Sequence, residues 1–548
     1  MGKMGRFMML ALVIGLVMYA GSAGAGKSLT IFSDVTEKAG VGDKGHGKGI
    51  AFYDYDKDGF TDIFVSNKGG HNVLYHNEKD GTFKDATVAA GVYDTGFAMG
   101  SVMGDMDNDG IADLYVAKGG RIEIDSNRVY RGIGGGKFDD VTASSGAGVK
   151  DFTYGSLLCD FDHDGRLDLF LSNYGVGKKN RLFHNESKPG KIAFREVTDE
   201  AGVSAPGWSW SSTTADVNED GWDDLYVSRG RYPNGEPNKL YLNVSTPGKI
   251  RFADFSKESG LDDKDWALGS AFGDYNNDGH VDVYISNYVG PNKLFKGDGT
   301  GHFTEVTHFA KLDDKPDHWG KGPCWGDINN DGLIDLYEGD CKFANQLYLN
   351  NGDGTFTNVT EDNPAAKYET VRTKGTALAD YDQDGDLDLY VINWAVANGL
   401  LRNETNDGNW LEVDCSGTVS NRDAVGTKVR VYSAGQMGDK KHMKGFRVVQ
   451  TATGFCSQNP LTAHFGVNAA KTYDVEATFP SGLMAYALNV KPGQRIKIAE
   501  PVSLAAQKEL FPMAVADAGQ RFPLSQVVMA PAPSPARTDV FNARAAVK

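Results

Sequence analysis

A chain of 548 residues with 40% apolar side chains can bury a large core or several smaller ones. Its formal net charge of −17 excludes the basic footprint that nucleic acid binding needs, and leaves either a solvated acidic surface or a cation binder. Aromatics at 11% and 68 glycines, with no heptad or long amphipathic pattern, exclude a coiled coil and indicate short strands joined by many turns.

The chain opens with Lys3 and Arg6, then the apolar run FMMLALVIGLVMY from Phe7 to Tyr19, then Ala23-Gly24-Ala25. A basic start, an apolar core and a small-x-small site predict a signal peptide over residues 1–25. The apolar run is shorter than the roughly 20 residues that span a bilayer. The mature protein is expected to be exported, extracellular or periplasmic, with no membrane span after cleavage.

From residue 29 to 405 one unit recurs. An acidic loop begins at Asp54, Asp105, Asp160, Asp216, Asp274, Asp327 and Asp380, at steps of 51, 55, 56, 58, 53 and 53 residues. Each loop runs into an apolar strand such as IFVSN or LYVAK. A second apolar signal follows (NVLYHN, NRLFHN, NKLYLN), and then a third (TFKDAT, KFDDVT, AFREVT). Four short strands in about 50 residues mark a β-propeller blade. The third signal is out of step: IFSDVTEKAGV at Ile31 to Val41 precedes any acidic loop, and no copy follows the seventh. The N-terminal strand is therefore expected to complete the last blade and close the ring, where an open array would leave its edges unpaired. The expected fold class is all-β: a seven-bladed β-propeller with a small C-terminal β-domain.

The loops read D-x-D-x-D-G-x-x-D. Oxygen donors at alternate positions, with glycine at the sharp turn, suit calcium. In the first loop the ligands would be Asp54, Asp56, Asp58, the Phe60 carbonyl and Asp62. In the second they are Asp105, Asp107, Asp109, Ile111 and Asp113, and in the third Asp160, Asp162, Asp164, Arg166 and Asp168. Asparagine supplies a neutral oxygen in the next three: Asp216, Asn218, Asp220, Trp222 and Asp224; Asp274, Asn276, Asp278, His280 and Asp282; Asp327, Asn329, Asp331, Leu333 and Asp335. The seventh has Asp380, Asp382, Asp384, Asp386 and Asp388. An apolar strand stands where an EF-hand has its twelfth-position Glu, so the ion is expected to be structural, holding the turn between two strands. Seven calcium ions would bring −17 to about −3.

These loops and strands resemble the FG-GAP/VCBS repeat family, as in the integrin α-subunit propeller. The resemblance implies a propeller with calcium on one face. Residues 409–500 carry NWLEVDCSG, SNRDAVGTKVRV, HFGV and FPSG followed by NVKPGQRIKI. They resemble the ASPIC/UnbV domain that follows such propellers in cartilage acidic protein-like secreted proteins, with Phe479 where Trp is more usual. Read from its own residues, this part is a compact β-domain of five or six strands with Gly turns. Residues 501–548, with MAPAPSPAR, read as an Ala/Pro-rich tail with little core.

Export permits disulfides. Cys324 and Cys341 flank one acidic loop and are candidates to pair. Cys415 and Cys456 are candidates in the C-terminal part. Cys159 is left as a buried free thiol. With no CxxC, no Cys/His spacing and no ligand spacing among the 11 histidines, a zinc site is not expected.

Strand parity puts the segments that lead into the first strands on the face opposite the acidic loops. There they should ring the central opening and bring together His46, Lys48, Phe97, Tyr154, Trp208, Trp210, Trp266, His318, Trp319, Lys321, Arg372 and Lys374. Aromatics mixed with cations suit stacking on sugars or holding an anion. No G-x-S-x-G, H-E-x-x-H or phosphate loop occurs. Asn-x-Ser/Thr sites lie at Asn185, Asn243, Asn358 and Asn403. The residues thus point to an exported calcium-stabilised binding or adhesion module for a glycan or protein partner. The alternative is a polysaccharide lyase or hydrolase using Lys48, Lys321, Arg372 and Lys374.

Overall fold

The computed structural model describes residues 30–510, apart from 120–124, 232–234, 314–317 and 370–371. The expected signal peptide and most of the Ala/Pro-rich tail lie outside the described residues.

Each acidic loop joins two strands that pair in antiparallel register. In the first unit Gly47–Tyr53 pairs with Asp62–His71, with Tyr53 opposite Asp62, so the loop closes a hairpin. Val73–Asn77 and Phe83–Asp85 add the third and fourth strands. Among the described residues this four-stranded meander occurs seven times. In the last unit the fourth place is taken by Phe32–Asp34, which pairs with Gly399–Asn403. The first strand of every unit adjoins that of the next, and the last adjoins the first. The chain is a nearly all-β propeller in which the N-terminal strand completes the final unit.

First strands are buried along most of their length, and Gly47–Tyr53 and Gly320–Gly326 along all of it. Burial on both faces explains their continuous apolar and small-residue character. Their glycines are places of close backbone approach. A Cβ on Gly49 would lie 2.3 Å from the Cys456 carbonyl oxygen, and one on Gly269 would lie 2.2 Å from that of Lys321.

Two features of the repeat go beyond the strands read from sequence. The outer strand runs into a one-turn helix, such as Thr36–Ala39, Thr87–Ala90 or Thr198–Ala201. Asp34 Oδ1 accepts the Thr36 N–H at 2.9 Å, and Gly40 ends the turn at φ +75°. In five of the seven units the Asn that closes the third strand staples the unit to its predecessor; the second and fifth have Gly132 and Gly297 there. Asn77 Nδ2 donates to the Tyr381 carbonyl at 2.9 Å, Asn185 to Met106 at 2.8 Å, and Asn243 to Phe161 at 3.0 Å. Asn350 and Asn403 do the same to Tyr275 and Ile328. Three of the four sequons, Asn185, Asn243 and Asn403, are therefore buried staples with committed amides. Asn358 is exposed and bonds Gln346.

The C-terminal part holds seven strands in two sheets: Trp410–Ser416 between Ala463–Gly466 and Gln494–Ala499, and the set Met443–Val448, Lys428–Ser433, Tyr473–Thr478 and Met484–Val490. That is more than the expected five or six, because the short HFG stretch is itself an edge strand. Leu411, Val413, Val429, Val431, Phe465 and Val475 form its core. The first ten residues of the expected Ala/Pro-rich tail are described. They include a helix, Leu504–Leu510, and Gln507 Oε1 accepts the Met484 N–H at 3.0 Å.

Residues 450–462 leave this body and enter the central channel. Ser457–Gln458 pairs in parallel with Ile50–Ala51. Thr451 Oγ1 donates to the Leu158 carbonyl at 2.6 Å and accepts its N–H at 3.0 Å, and the Gln458 amide brackets the Met103 backbone at 2.8 and 3.0 Å. Gly454 exchanges backbone bonds with Ser270, and Asn459 Oδ1 accepts the Leu378 N–H. The segment thereby satisfies backbone groups of inner strands that face the channel.

The expected disulfides do not form; the cysteines are free thiols. Cys324 pairs in register with Tyr337, four residues from Cys341 along the strand. That is roughly 13 Å at strand rise, too far for a bridge. Cys415 stays in the C-terminal sheet while Cys456 sits in the channel, where its Sγ donates to the Tyr154 carbonyl at 3.4 Å. Cys159 is a buried free thiol.

Candidate functional site: acidic loops and channel mouth

The loop aspartates divide the work by position. The first accepts two backbone N–H groups: Asp54 takes Asp58 at 3.0 Å and Gly59 at 2.9 Å, with Gly59 at φ +94°. The ninth ties the loop to its sheet: Asp62 accepts the Tyr55 N–H at 3.2 Å and the Asn77 N–H at 2.8 Å. The third is only partly used: Asp107 Oδ1 accepts the Asp109 N–H at 3.1 Å, for example. Oxygens of Asp107, Asp162 and Asp382 are buried with no hydrogen-bond partner. Ligand atoms of Asp54, Asp56 and Asp58 lie within 4.8 Å of one another, as do those of Asp105, Asp107 and Asp113, and of Asp160, Asp162 and Asp164. Burial, reinforced by neighbouring carboxylates, pushes Asp62 up to about 9 and Asp105 up to about 7. A buried cage of carboxylates with orphaned oxygens fits a hard divalent cation, and the residues named for each loop could hold one.

The seven loops are not equivalent. Arg131 lies 3.8 Å from Asp109, and Lys296 lies 3.0 Å from Asp278. The C-terminal part covers this face and supplies further cations. Lys428 pairs with Asp216, and Arg447 faces Asp274 and Asp327. These are the loops with Asn at the third position, so the missing charge in each is matched by a basic residue from outside the repeat. Other contacts seat it: Asp423 accepts from Tyr53 Oη at 2.9 Å, and Gly466 N donates to Asp327 at 2.8 Å. A cavity of about 140 Å³ lies between the two parts, lined by Asp274, Asp380, Glu412, Arg447 and His464 among others.

On the opposite face three buried lysines converge. Lys48 Nζ lies 4.3 Å over the Trp394 ring, Lys321 Nζ lies 4.4 Å over Phe455, and Lys374 Nζ lies 3.1 Å from Cys341 Sγ. Among the described residues none of the three forms an ion pair with a carboxylate. Burial, and then the charge of the neighbouring lysines, lowers Lys48 well below its ordinary value and brings Lys321 to about 7.

Aromatic rings surround them. Tyr154, Trp208 and Trp210 gather around Tyr174 and Phe455. Trp266 and Trp319 meet at Tyr288. His46 stacks on Trp394, and Phe97 lies beside Lys68. Not every predicted residue is available. His318 is buried against Asp340 and Asn292, and Trp210 Nε1 is spent on the Gly230 carbonyl. Arg372 is exposed, next to Trp394 in register. Trp394, Tyr174 and Tyr288 sit at the ends of second strands, so strand parity already placed them on this face. Phe455 and Cys456 arrive from the C-terminal part, and no spacing in the repeat could reveal them.

FG-GAP-like repeats match residues 32–116, 160–227, 274–338 and 341–391, and the ASPIC and UnbV family matches 417–505. The chain belongs to the FG-GAP-repeat proteins that carry an ASPIC and UnbV domain. Among relatives, it is 25% identical over 518 residues to cartilage acidic protein 1 of Homo sapiens, covering 86% of this chain and 75% of the human one. Against cartilage acidic protein 1 of Mus musculus it is 26% identical over 483 residues, covering 80% and 71%. A solved structure of BBS1N in complex with ARL6DN matches with a TM-score of 0.42 at 9% identity, over 68% of this chain and 97% of that one. The segment that fills the channel is thus part of the ASPIC and UnbV match. Among the described residues no helix is long and apolar enough to cross a membrane.

Proposed function

We propose that this FG-GAP protein is an exported, calcium-stabilised binding module that holds an anionic group of a glycan or protein at the channel mouth. The acidic loops act as calcium cages that brace the hairpins. The opposite face is the recognition surface. The observation that carries this reading is the set Lys48, Lys321 and Lys374, buried together with no carboxylate partner. Burying three ammonium groups without counter-charge is costly, and an anion entering the mouth would relieve it. The rings of Tyr154, Trp208, Trp266 and Trp319 offer faces for sugar or peptide groups around that anion.

The test is binding of uronate-bearing or sulfated oligosaccharides and acidic peptides by the full mature protein, compared with Lys321→Met. Met fills a similar apolar volume and removes the charge. The variant should lose affinity about tenfold or more, at a thermal midpoint equal to or above wild type. Binding that is unchanged in Lys321→Met, or that tracks only neutral ligands, would refute the mouth as the anion site.

One observation keeps the lyase reading in play: at about 7, Lys321 is deprotonated enough near neutrality to abstract a proton. Unsaturated product from a polyuronate, lost in Lys321→Met, would establish it. Binding without turnover would leave the module reading.

A further inference from the structure

The position on the third strand that faces the acidic loop differs from unit to unit. It is His76, Arg131, His184, Leu242, Lys296, Leu349 and Arg402 in chain order. Leucine leaves the cage to oxygen donors alone. Arg131 and Lys296 place a fixed cation beside it. The two histidines do something else: each aims an imidazole into the carboxylates.

In the third unit His184 Nε2 lies 3.1 Å from Asp162 Oδ2 and 3.3 Å from Asp164 Oδ2. Ligand atoms of His184, Asp162 and Asp168 all fall within 4.8 Å of one another. That spacing suits a common metal neighbour at about 2.0–2.2 Å from each. Asp162 is fully buried; its Oδ1 and the Nδ1 of the buried His184 have no hydrogen-bond partner, while Asp162 Oδ2 and His184 Nε2 meet each other across the 3.1 Å ion-pair contact. Two orphaned polar atoms on two buried side chains that meet only each other are not the signature of a finished hydrogen-bond network. They are the donor set of a site that a cation completes. Arg166 donates to the same Asp164 oxygen that lies nearest His184, so Asp162 and Asp168, rather than Asp164, are the carboxylates open to share an ion with it. The first unit repeats the arrangement in a more open setting: His76 Nδ1 lies 3.3 Å from Asp62 and 3.4 Å from Asp56, again without a hydrogen-bond partner.

Calcium takes oxygen ligands and gains little from an imidazole nitrogen, whereas first-row transition cations bind mixed imidazole and carboxylate sets well. We propose that the loops of the first and third units are mixed nitrogen–oxygen sites for a transition divalent cation such as zinc, with His184 and His76 as ligands, while the remaining loops keep the oxygen-only character suited to calcium. The propeller would thus carry two kinds of metal site on one repeat, chosen by a single residue one strand away from the loop. The proposal rests on the loops being cation cages.

The experiment uses the full mature protein, stripped with chelator and dialysed against zinc in the presence of excess calcium, with both metals counted by elemental analysis. Wild type should retain one zinc per histidine site. His184→Leu should lose one and His76→Leu the other, each with affinity reduced about tenfold or more and calcium content not reduced. Leucine is what the fourth and sixth units carry at this position, so the strand tolerates it. X-ray absorption of zinc-loaded wild type, which needs no variant to fold, should show imidazole scattering in the metal shell. Displacement of all zinc by calcium, zinc content indifferent to both substitutions, or an oxygen-only shell would overturn the proposal. Calcium bound with no zinc would sink this inference alone, whereas no bound ion of either kind would sink the calcium reading with it.

Discussion

Asp62 and its counterparts show how one side chain can hold a turn, a strand end and a charge at once. Asp168 accepts the Phe161 N–H at 3.0 Å and the Asn185 N–H at 2.9 Å. Asn185 in turn staples the unit before it. Replacing Asp168 by Ala strands two buried donors, so Asp168→Ala should cost about 2–5 kcal/mol in denaturant unfolding, whatever metal is present. Asn243→Ala removes a bridge to Phe161 and Asp223 carbonyls and should cost about 1–3 kcal/mol. A loss below half a kcal/mol in either would mean that water replaces these bonds. The aspartates were legible as candidate ligands because their spacing is the spacing of a cation loop. Their second task was not, since the partner Asn lies fifteen to nineteen residues on and its role needs the neighbouring unit.

At the scale of the element, the channel plug decides what the mouth can do. Phe455 is fully buried among Trp210, Tyr154 and Leu268, and its ring lies under Lys321. Phe455→Ala should therefore destabilise by about 3–5 kcal/mol and also admit water beside Lys321. Water would relieve the burial that lowers the Lys321 pKa, so the amine should titrate higher in the variant, read by pH-dependent chemical labelling of that lysine. An unchanged titration would show that the neighbouring lysines, rather than burial, set its value. The strand that completes the last unit is a second such element. Thr30 and Ile31 bond to Asp362 and Asn363, over 300 residues away, so a chain starting after Asp34 should lose the closing contact and unfold at lower denaturant.

For the whole molecule, the proposed calcium cages tie stability to charge. In the metal-free protein the folded Asp62 and Asp380 carboxyls sit near 9 and Asp105 near 7, above the unfolded value of about 4. A folded value above the unfolded one gives stability that is present below about pH 4 and lost as pH rises toward 7–9. Chelated protein should therefore melt higher at about pH 5 than at about pH 8. Calcium favours the ionised form, so the gain in melting temperature on adding it should grow over the same range. Each filled site adds about 4 kcal/mol when the free ion exceeds its Kd a thousandfold. A chelated protein whose melt rises with pH would contradict the cage reading.

Periodicity determined much of this protein without a structure. A repeat of about 50 residues, a loop pattern with one chemistry and a strand signal out of step by one unit are local properties, and they survive being read one residue at a time. They yielded the propeller, its manner of closing, the acidic face and most of the aromatic and basic residues of the other face. Tertiary structure decided the rest, because the contacts in question join segments with no common period. The C-terminal part lies across the acidic loops and threads Phe455 and Cys456 into the channel. That placement separates Cys456 from Cys415, matches Lys428 and Arg447 to the loops with fewer aspartates, and gives the lysines their floor. His184 is the clearest case: twenty residues beyond Asp164 in sequence, it reads as one letter of a strand, and only the pairing of Leu169 with Phe183 turns it toward the acidic loop.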